Sequence, residues 1–260
     1  DQTYKNIELI VIDDGSSDGS PSVIENVLKD IHTLNAQLFL QDNCGAHNTI
    51  NRGISMARGE YVAILNSDDF YYPRRLEKLL TWATLNHCEF AFSKVDHVSS
   101  DGTYLDRNRE IRSTYLSVYE GRGHFPSLAF SLLKYNLAVT TSNFLMKRSI
   151  IDKVGLFRDY KIVHDWDYLL RVLLETEPCF LDEPLMAYRV HENNTLSRLL
   201  HLAWDELNTI FSDYAKARAA GKPRNSLAPP AQTALFLLGQ QLKYKMAQHE
   251  SHLVKGGGTG

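Results

Sequence analysis

Two rhythms of apolar and polar residues alternate along this chain. Short apolar runs closed by Asp, Gly, Ser or Asn give way to stretches in which apolar residues recur every three or four positions, so strands are expected to alternate with helices. Glu8 to Asp13, ELIVID, reads as a strand closed by the loop-forming run IDDGSSDGS. A helix from about Pro21 to Ile31 and a second strand over Gln37 to Gln41 follow. The turn residues Asn43 to His47 lead into a helix from Asn48 to Ala57, with Arg58-Gly59 as its stop. Tyr61 to Leu65 is apolar without interruption, which predicts a central strand covered on both faces. Pro73 suits the first position of the next helix, with its N-cap near Tyr72. Glu89 to Val98 alternates in polarity, as an exposed or edge strand does. Asp101 to His124 is a long polar stretch of the kind that is often functional or mobile. Beyond it the pattern predicts a helix over Phe125 to Tyr135 and a strand over Ser142 to Lys147. Trp166, Leu169, Leu170 and Leu173 share one helical face, so a helix begins at or just after Asp165, and Pro178 to Val190 returns as extended chain. This succession predicts right-handed βαβ units and a three-layer α/β/α sandwich around a mixed, mostly parallel sheet.

From Leu196 the rhythm changes. Two long helical stretches, Leu196 to Ala219 and Ala231 to Gln248, flank GKPRNSLAPP and predict a C-terminal helical extension. The expected organisation is an α/β domain over 1–194, the extension over 195–254 and a flexible tail over 255–260. Leu235 to Leu238 followed by Lys243 and Lys245 is compatible with a helix resting on a membrane surface, with a dimer contact, or with packing on the α/β domain.

Composition narrows the field. A net charge of -3 over 260 residues leaves no basic footprint for nucleic acid. Cys44, Cys88 and Cys179 are far apart and lack C-x-x-C spacing, so neither a disulfide nor a zinc site is expected, and a reducing, cytoplasmic setting is. No run is long and apolar enough to span a bilayer.

The candidate chemistry gathers where apolar runs end in acids. Asp68 and Asp69 follow the Tyr61 run, and a helix beginning at Pro73 does not consume them as caps. Carboxylates at the carboxyl end of a strand in an open α/β sheet suit a hard divalent cation, Mn2+ or Mg2+; a solvated Asp-rich turn is the alternative. Asp165 at a helix start is either a base or an N-cap, and Asp167 reads as a first-turn acid favoured by the helix dipole.

Taken together, VIDDGSSDGS, NCGAHNTINRGISMARGEYVAILNSDD, VHDWDYLLR and YRVHENN resemble, in order and spacing, the family 2 glycosyltransferases of the GT-A fold. The resemblance implies transfer of a sugar from a nucleoside diphosphate sugar, UDP-linked, to a hydroxyl of a glycan or lipid-linked acceptor with inversion. It implies that Asp13 and Asp14 grip the nucleotide, and that Asn51 and Gly53 pack near it, although Ile50 stands where many members carry Arg. Asn66, Ser67, Asp68 and Asp69 match the family's D-x-D element with Asn66 in place of the first acid. Asn66 and Ser67 are then donor-binding residues, Asp68 the main metal ligand and Asp69 its support. Asp165 matches the catalytic base, with His164 where a Glu usually precedes it, and His191 stands where some metal-dependent relatives place a third contact. Arg189 and Lys147 read as solvated surface charges, with a phosphate contact as the alternative for each. Members of the family begin with a further apolar strand, and the sequence starts beyond the corresponding point. A non-catalytic nucleotide-sugar or glycan-binding module remains the competing reading.

Overall fold

A computed structural model describes residues 1–30, 34–105, 119–191, 195–221 and 223–240. In chain order the elements are β1 (Glu8–Asp14), α1 (Ser20–Lys29), β2 (Asn35–Gln41), α2 (Ala46–Met56), β3 (Tyr61–Ala63), β4 (Phe70–Tyr71), α3 (Arg75–Leu85) and β5 (Phe90–Val98). They continue as α4 (Leu128–Lys134), β6 (Leu145–Lys147), α5 (Arg148–Val154), α6 (His164–Glu175), β7 (Cys179–Arg189) and α7 (Thr195–Ala220). A last helix, α8, covers 231–240. Strands and helices thus alternate as the sequence pattern predicts, and the helical extension is present.

The strands form a two-stranded sheet, β1-β2, and a five-stranded sheet in the order β3-β6-β5-β7-β4. The β1–β2 and β5–β7 ladders are parallel, whereas β3–β6, β5–β6 and β4–β7 are antiparallel, so the architecture is mixed. Successive residues of the larger sheet serve opposite faces, as the two-residue period requires. Phe90, Phe92 and Met146 enter a core shared with α4, α5, α6 and α7, while Ala91 and Leu145 join Leu79 and Ala83 of α3 on the other side. One sheet between two apolar layers is the three-layer arrangement.

Three expectations need correction. The Tyr61 run is not a central strand: β3 ends at Ala63, pairs with β6 at the margin of the sheet, and leaves Leu65 50% exposed. Its continuation is diverted because the Tyr71 hydroxyl takes the Ile64 carbonyl. Conversely, β5 is the middle strand and is buried, because its polar residues are satisfied inside: Ser93 receives Arg75 at 2.8 Å, and its N–H donates to Asn143 Oδ1 at 3.1 Å. Finally, Cys88 and Cys179 form a disulfide with Cα atoms 6.0 Å apart. Their separation of 91 residues in sequence concealed a close spatial pair, because the parallel β5–β7 ladder sets Ala91 opposite Cys179. Cys44 is free and exposed.

Much of the polar stretch over Asp101 to His124, namely 106–118, lies outside the described residues, as do Lys243, Lys245 and the tail. Among the described residues no helix is long and apolar enough to cross a membrane.

Candidate active site

The antiparallel pairing of β4 with β7 explains the first half of the site. Phe70 faces Ala187 and Tyr71 faces Met186, so the residues just before β4 lie beside those that end β7. Asp68 Oδ2 accordingly stands 3.2 Å from His191 Nε2, with both side chains partly exposed. Arg189 is not a solvated surface charge. Its Nε donates to the Asp68 carbonyl at 2.9 Å, and its Nη1 donates to the carbonyls of Ser99 and Ser100 at 3.1 and 2.9 Å, so it clamps the Asp68 turn to the end of β5. Asp69 turns inward. It is buried, its Oδ1 accepts the Arg189 N–H at 3.0 Å and its Oδ2 accepts the Thr140 hydroxyl at 3.4 Å. Burial holds its pKa above the ordinary carboxylate value against those hydrogen bonds. Asp68 and His191 therefore face outward together, and Asp69 braces them from behind.

The brace is a segment that the sequence pattern did not single out. Between α4 and β6 the chain makes a tight turn in which Val139, a β-branched residue, takes φ +69°. Such a conformation is unfavourable for Val and persists where surrounding contacts over-determine it. Those contacts are the site itself: Asn66 Nδ2 donates to Thr140 Oγ1 at 3.1 Å, Thr141 Oγ1 donates to Asn66 Oδ1 at 3.3 Å, and the Asn66 N–H donates to Ser142 Oγ at 2.9 Å. Behind them Arg75, 1% exposed, donates to Ser93 and to the Ser142 carbonyl and lies 4.4 Å from the centre of the Tyr71 ring. Burial pulls its pKa below the ordinary value. The run Thr140-Thr141-Ser142-Asn143, small and polar between apolar neighbours yet buried, was the available signal.

The second half of the site is the start of α6. Val163 occupies the N-cap position, so Asp165 lies inside the helix and is not its cap. Its Oδ1 accepts the Trp166 N–H and its Oδ2 accepts Asn136 Nδ2, each at 2.7 Å. Burial raises its pKa above the ordinary carboxylate value, opposed by His164 and by those hydrogen bonds. Trp166 is anchored by its indole N–H on the Leu132 carbonyl at 2.9 Å and by an edge contact with Phe211. Asp167 is a first-turn acid, as expected, and also a buried ion-pair partner of Arg171, at 2.8 Å, and of Arg158, at 3.4 Å. Asn136 and Thr140, four residues apart, therefore connect Asp165 with the Asn66–Asp69 turn.

The end of β1 supplies a third group. Asp13 is buried and its Oδ2 accepts the Ser16 N–H at 3.0 Å, closing the turn. Asp14 Oδ1 accepts Gln41 Nε2 at 2.7 Å and the Cys44 N–H at 2.9 Å, and its Oδ2 accepts the Gly45 N–H at 3.0 Å. Partial burial opposes ionisation, but these donors together hold the pKa at about 2. A folded-state pKa below the unfolded one gives stability that is present above the unfolded value, ordinarily 3.8, and lost as pH falls through about 2. Asp14→Ala is expected to lower the melting temperature at pH 7, with the difference from the parent shrinking as melts are taken toward pH 2. Asn51 spends both ends of its amide on the Phe157 backbone, at 2.8 Å each, and so pins α2 to the loop before α6. Gly53 packs on Ile12, and Ser67 is exposed. Lys147 pairs with Glu60 at 3.4 Å and is partly exposed. Among the described residues no three acid, His or Cys side chains cluster as metal ligands; the outward-facing donors are the Asp68–His191 pair.

Comparison with known proteins bears on the family and the fold. An uncharacterised glycosyltransferase of Rickettsia typhi is 27% identical over 223 residues, covering 83% of this chain and 64% of its own length. The putative teichuronic acid biosynthesis glycosyltransferase TuaG of Bacillus subtilis is 34% identical over 110 residues, covering 41% of this chain and 42% of its own length. The chain thus spans less than two thirds of these relatives. Its fold is similar to that of S. aureus TarS 1-349 in complex with UDP-GlcNAc, with TM-score 0.64 and 17% identity, over 93% of this chain and 64% of that one. It is also similar to the mannosyltransferase PcManGT of Pyrobaculum calidifontis in complex with GDP-Man and Mn2+, with TM-score 0.61 and 17% identity, over 98% and 72% of the two chains. Residues 1–155 match the Glycosyl transferase family 2 profile over more than half of the sequence, and the chain belongs to that family.

Proposed function

We propose that this chain transfers a sugar from a UDP-linked donor to a hydroxyl of a glycan or lipid-linked acceptor, with inversion at the anomeric carbon. The observation that carries the reading is Asp165, a partly buried carboxylate held by two hydrogen bonds at a helix start and more basic than an ordinary aspartate. In this role it accepts the proton of the acceptor hydroxyl as that oxygen bonds to the anomeric carbon. The bond to the diphosphate oxygen breaks on the opposite face, and the nucleoside diphosphate leaves with the electron pair. Asp13 takes the base contact, since Asp14 is spent on shaping the turn. Asn51 and Gly53 line the floor beneath the nucleotide, and Asn66 and Ser67 lie on the turn that meets the ribose.

A divalent cation fits at Asp68 and His191. One carboxylate and one imidazole, both partly exposed, leave most of a coordination sphere to phosphate oxygens and water, and the imidazole favours Mn2+ over Mg2+. When bound, such an ion neutralises charge on the diphosphate. The ligands of the similar structures, UDP-GlcNAc in one and GDP-Man with Mn2+ in the other, support a nucleotide-sugar donor and a metal. A second reading, a binding module without catalysis, is favoured by Asn66, whose amide is engaged by Thr140 and Thr141 where the family places an acid.

Calorimetric titration with UDP, GDP and dTDP, with and without Mn2+, tests the donor half. UDP is expected to bind, Mn2+ to tighten it, and Asp68→Ala to remove the Mn2+-dependent part while leaving the metal-free affinity. Absence of binding by all three nucleotides, together with absence of sugar release from a panel of UDP- and GDP-sugars, would sink the proposal.

A further inference from the structure

We infer that Asn136 is the positioning residue of this site, holding the Asp165 carboxylate in one orientation through a direct hydrogen bond from the turn that also carries Thr140. The inference rests on Asp165 being the base. Asn136 Nδ2 donates to Asp165 Oδ2 at 2.7 Å, while Trp166 N–H occupies Oδ1 at the same distance. With one donor on each oxygen the carboxylate plane is set, and each oxygen keeps a lone-pair direction for an acceptor hydroxyl. Asn136 is itself held: its carbonyl accepts the Val139 N–H at 3.1 Å, inside the turn whose strained Val139 precedes Thr140. Its side-chain Oδ1 is buried without a hydrogen-bond partner among the described residues. A buried acceptor left unmatched costs free energy, and the amide's placement is explained by what its other end does for Asp165. Because Thr140 bonds both Asn66 and Asp69, the same short turn sets the spacing between the base and the Asp68 corner.

Among the described residues, the groups that set the ionisation of Asp165 are few. His164 on its own helix is the neighbouring titratable group. From α4, Lys134 lies over the rings of Phe125 and Tyr135. From α5, Arg148 is tied to the carbonyls of Ile54, Ala57 and Gly59, and Lys153 to Glu89. From α7, Glu206 is occupied by the N–H groups of Lys161, Ile162 and Val163. Among the described residues, Asn136 is thus the side-chain hydrogen-bond donor that stabilises the ionised base.

The test uses the full chain with UDP-GlcNAc and Mn2+, following UDP release to water, for which Asp165 activates the water. Asn136→Ala is expected to lower kcat about 10- to 100-fold, the loss of one hydrogen bond to a charged group, with the KM for UDP-GlcNAc unchanged. Its acid limb in the pH–rate profile moves to higher pH. Asn136→Asp, nearly isosteric, sets a second carboxylate against the first and moves that limb further in the same direction. In parallel, the 13C carboxyl resonance of Asp165, identified by its absence in Asp165→Asn, should titrate at higher pH in Asn136→Ala. If both variants lose thermal stability but keep the wild-type pH limb and carboxyl titration, Asn136 is merely structural and the inference falls. If Asp165→Asn keeps wild-type turnover, the base reading falls instead. If UDP-GlcNAc is not a donor, the carboxyl titration alone decides whether Asn136 controls Asp165.

Discussion

Asp165→Asn is expected to lower turnover by about 10³-fold while leaving the affinity for UDP within about twofold of the parent, the signature of a lost general base. The substitution keeps the shape and the amide oxygen still accepts Asn136 Nδ2, but the new NH2 then faces the Trp166 N–H, so that one hydrogen bond is lost. Otherwise only the proton acceptor is gone. The pH dependence follows from the same burial. Because the folded protein raises the pKa of Asp165, the base is ionised only above that raised value, and activity climbs with pH through it. The sign for stability is opposite. A group whose folded pKa exceeds its unfolded pKa contributes stability that is present below the unfolded value and lost as pH rises through the folded one. An ionised Asp165 therefore costs stability, which offsets the lost Trp166 bond, and Asp165→Asn should melt near the parent temperature. A variant that is inactive yet about as stable as the parent marks a residue kept for chemistry; one that is active, or inactive because it unfolds, refutes the assignment. Stable but undiminished turnover would return the binding-module reading to first place.

How much of this was legible depended on whether the signal was local. Alternating elements showed in the hydrophobic rhythm, and the acids at the end of β1 and just before β4 showed as abrupt changes of polarity, because both are properties of adjacent residues. Pairing is not. The polarity of β5 suggested an edge, but Ser93 faces Asn143 and Arg75 inside the protein, and only the fold brings those residues together. Cys88 and Cys179 were misjudged for the same reason, since the β5–β7 ladder closes a gap that spacing cannot show. Within the site, Asp68 and His191 were both visible as residues, yet their contact depends on β4 running antiparallel to β7. Asn136 left no trace: one Asn beside a Tyr after a helix has no periodicity and no motif. Its meaning arises only because the turn at Val139 aims it at α6.

The largest stability effect is expected at Asp167, two residues beyond the base. Asp167 is 2% exposed, and its carboxylate meets Arg171 Nε at 3.0 Å and Nη2 at 2.8 Å, with Arg158 Nη1 at 3.4 Å. Arg171 extends the bond network to the carbonyls of Val154 and Leu156, and Arg158 reaches Asp213 of α7 at 3.1 Å. This cluster ties α5, the loop after it and α7 to the helix that presents Asp165. Even with two arginines beside it, burial keeps the pKa of Asp167 raised, so desolvation outweighs the Coulomb gain. A buried pair of that kind is expensive to break by halves and inexpensive to replace whole. Asp167→Ala should therefore cost about 3 to 5 kcal/mol in urea melts, because Arg171 is left charged in a nearly dry position. Asp167→Leu combined with Arg171→Met should recover most of that loss, since apolar side chains of similar size remove both desolvation penalties together. Equal destabilisation in the single and double variants would mean that the cluster acts through its carbonyl contacts, with Arg171 serving α5 independently of Asp167. Recovery of stability without recovery of turnover would show instead that the charged pair is retained to orient the start of α6, and with it the base.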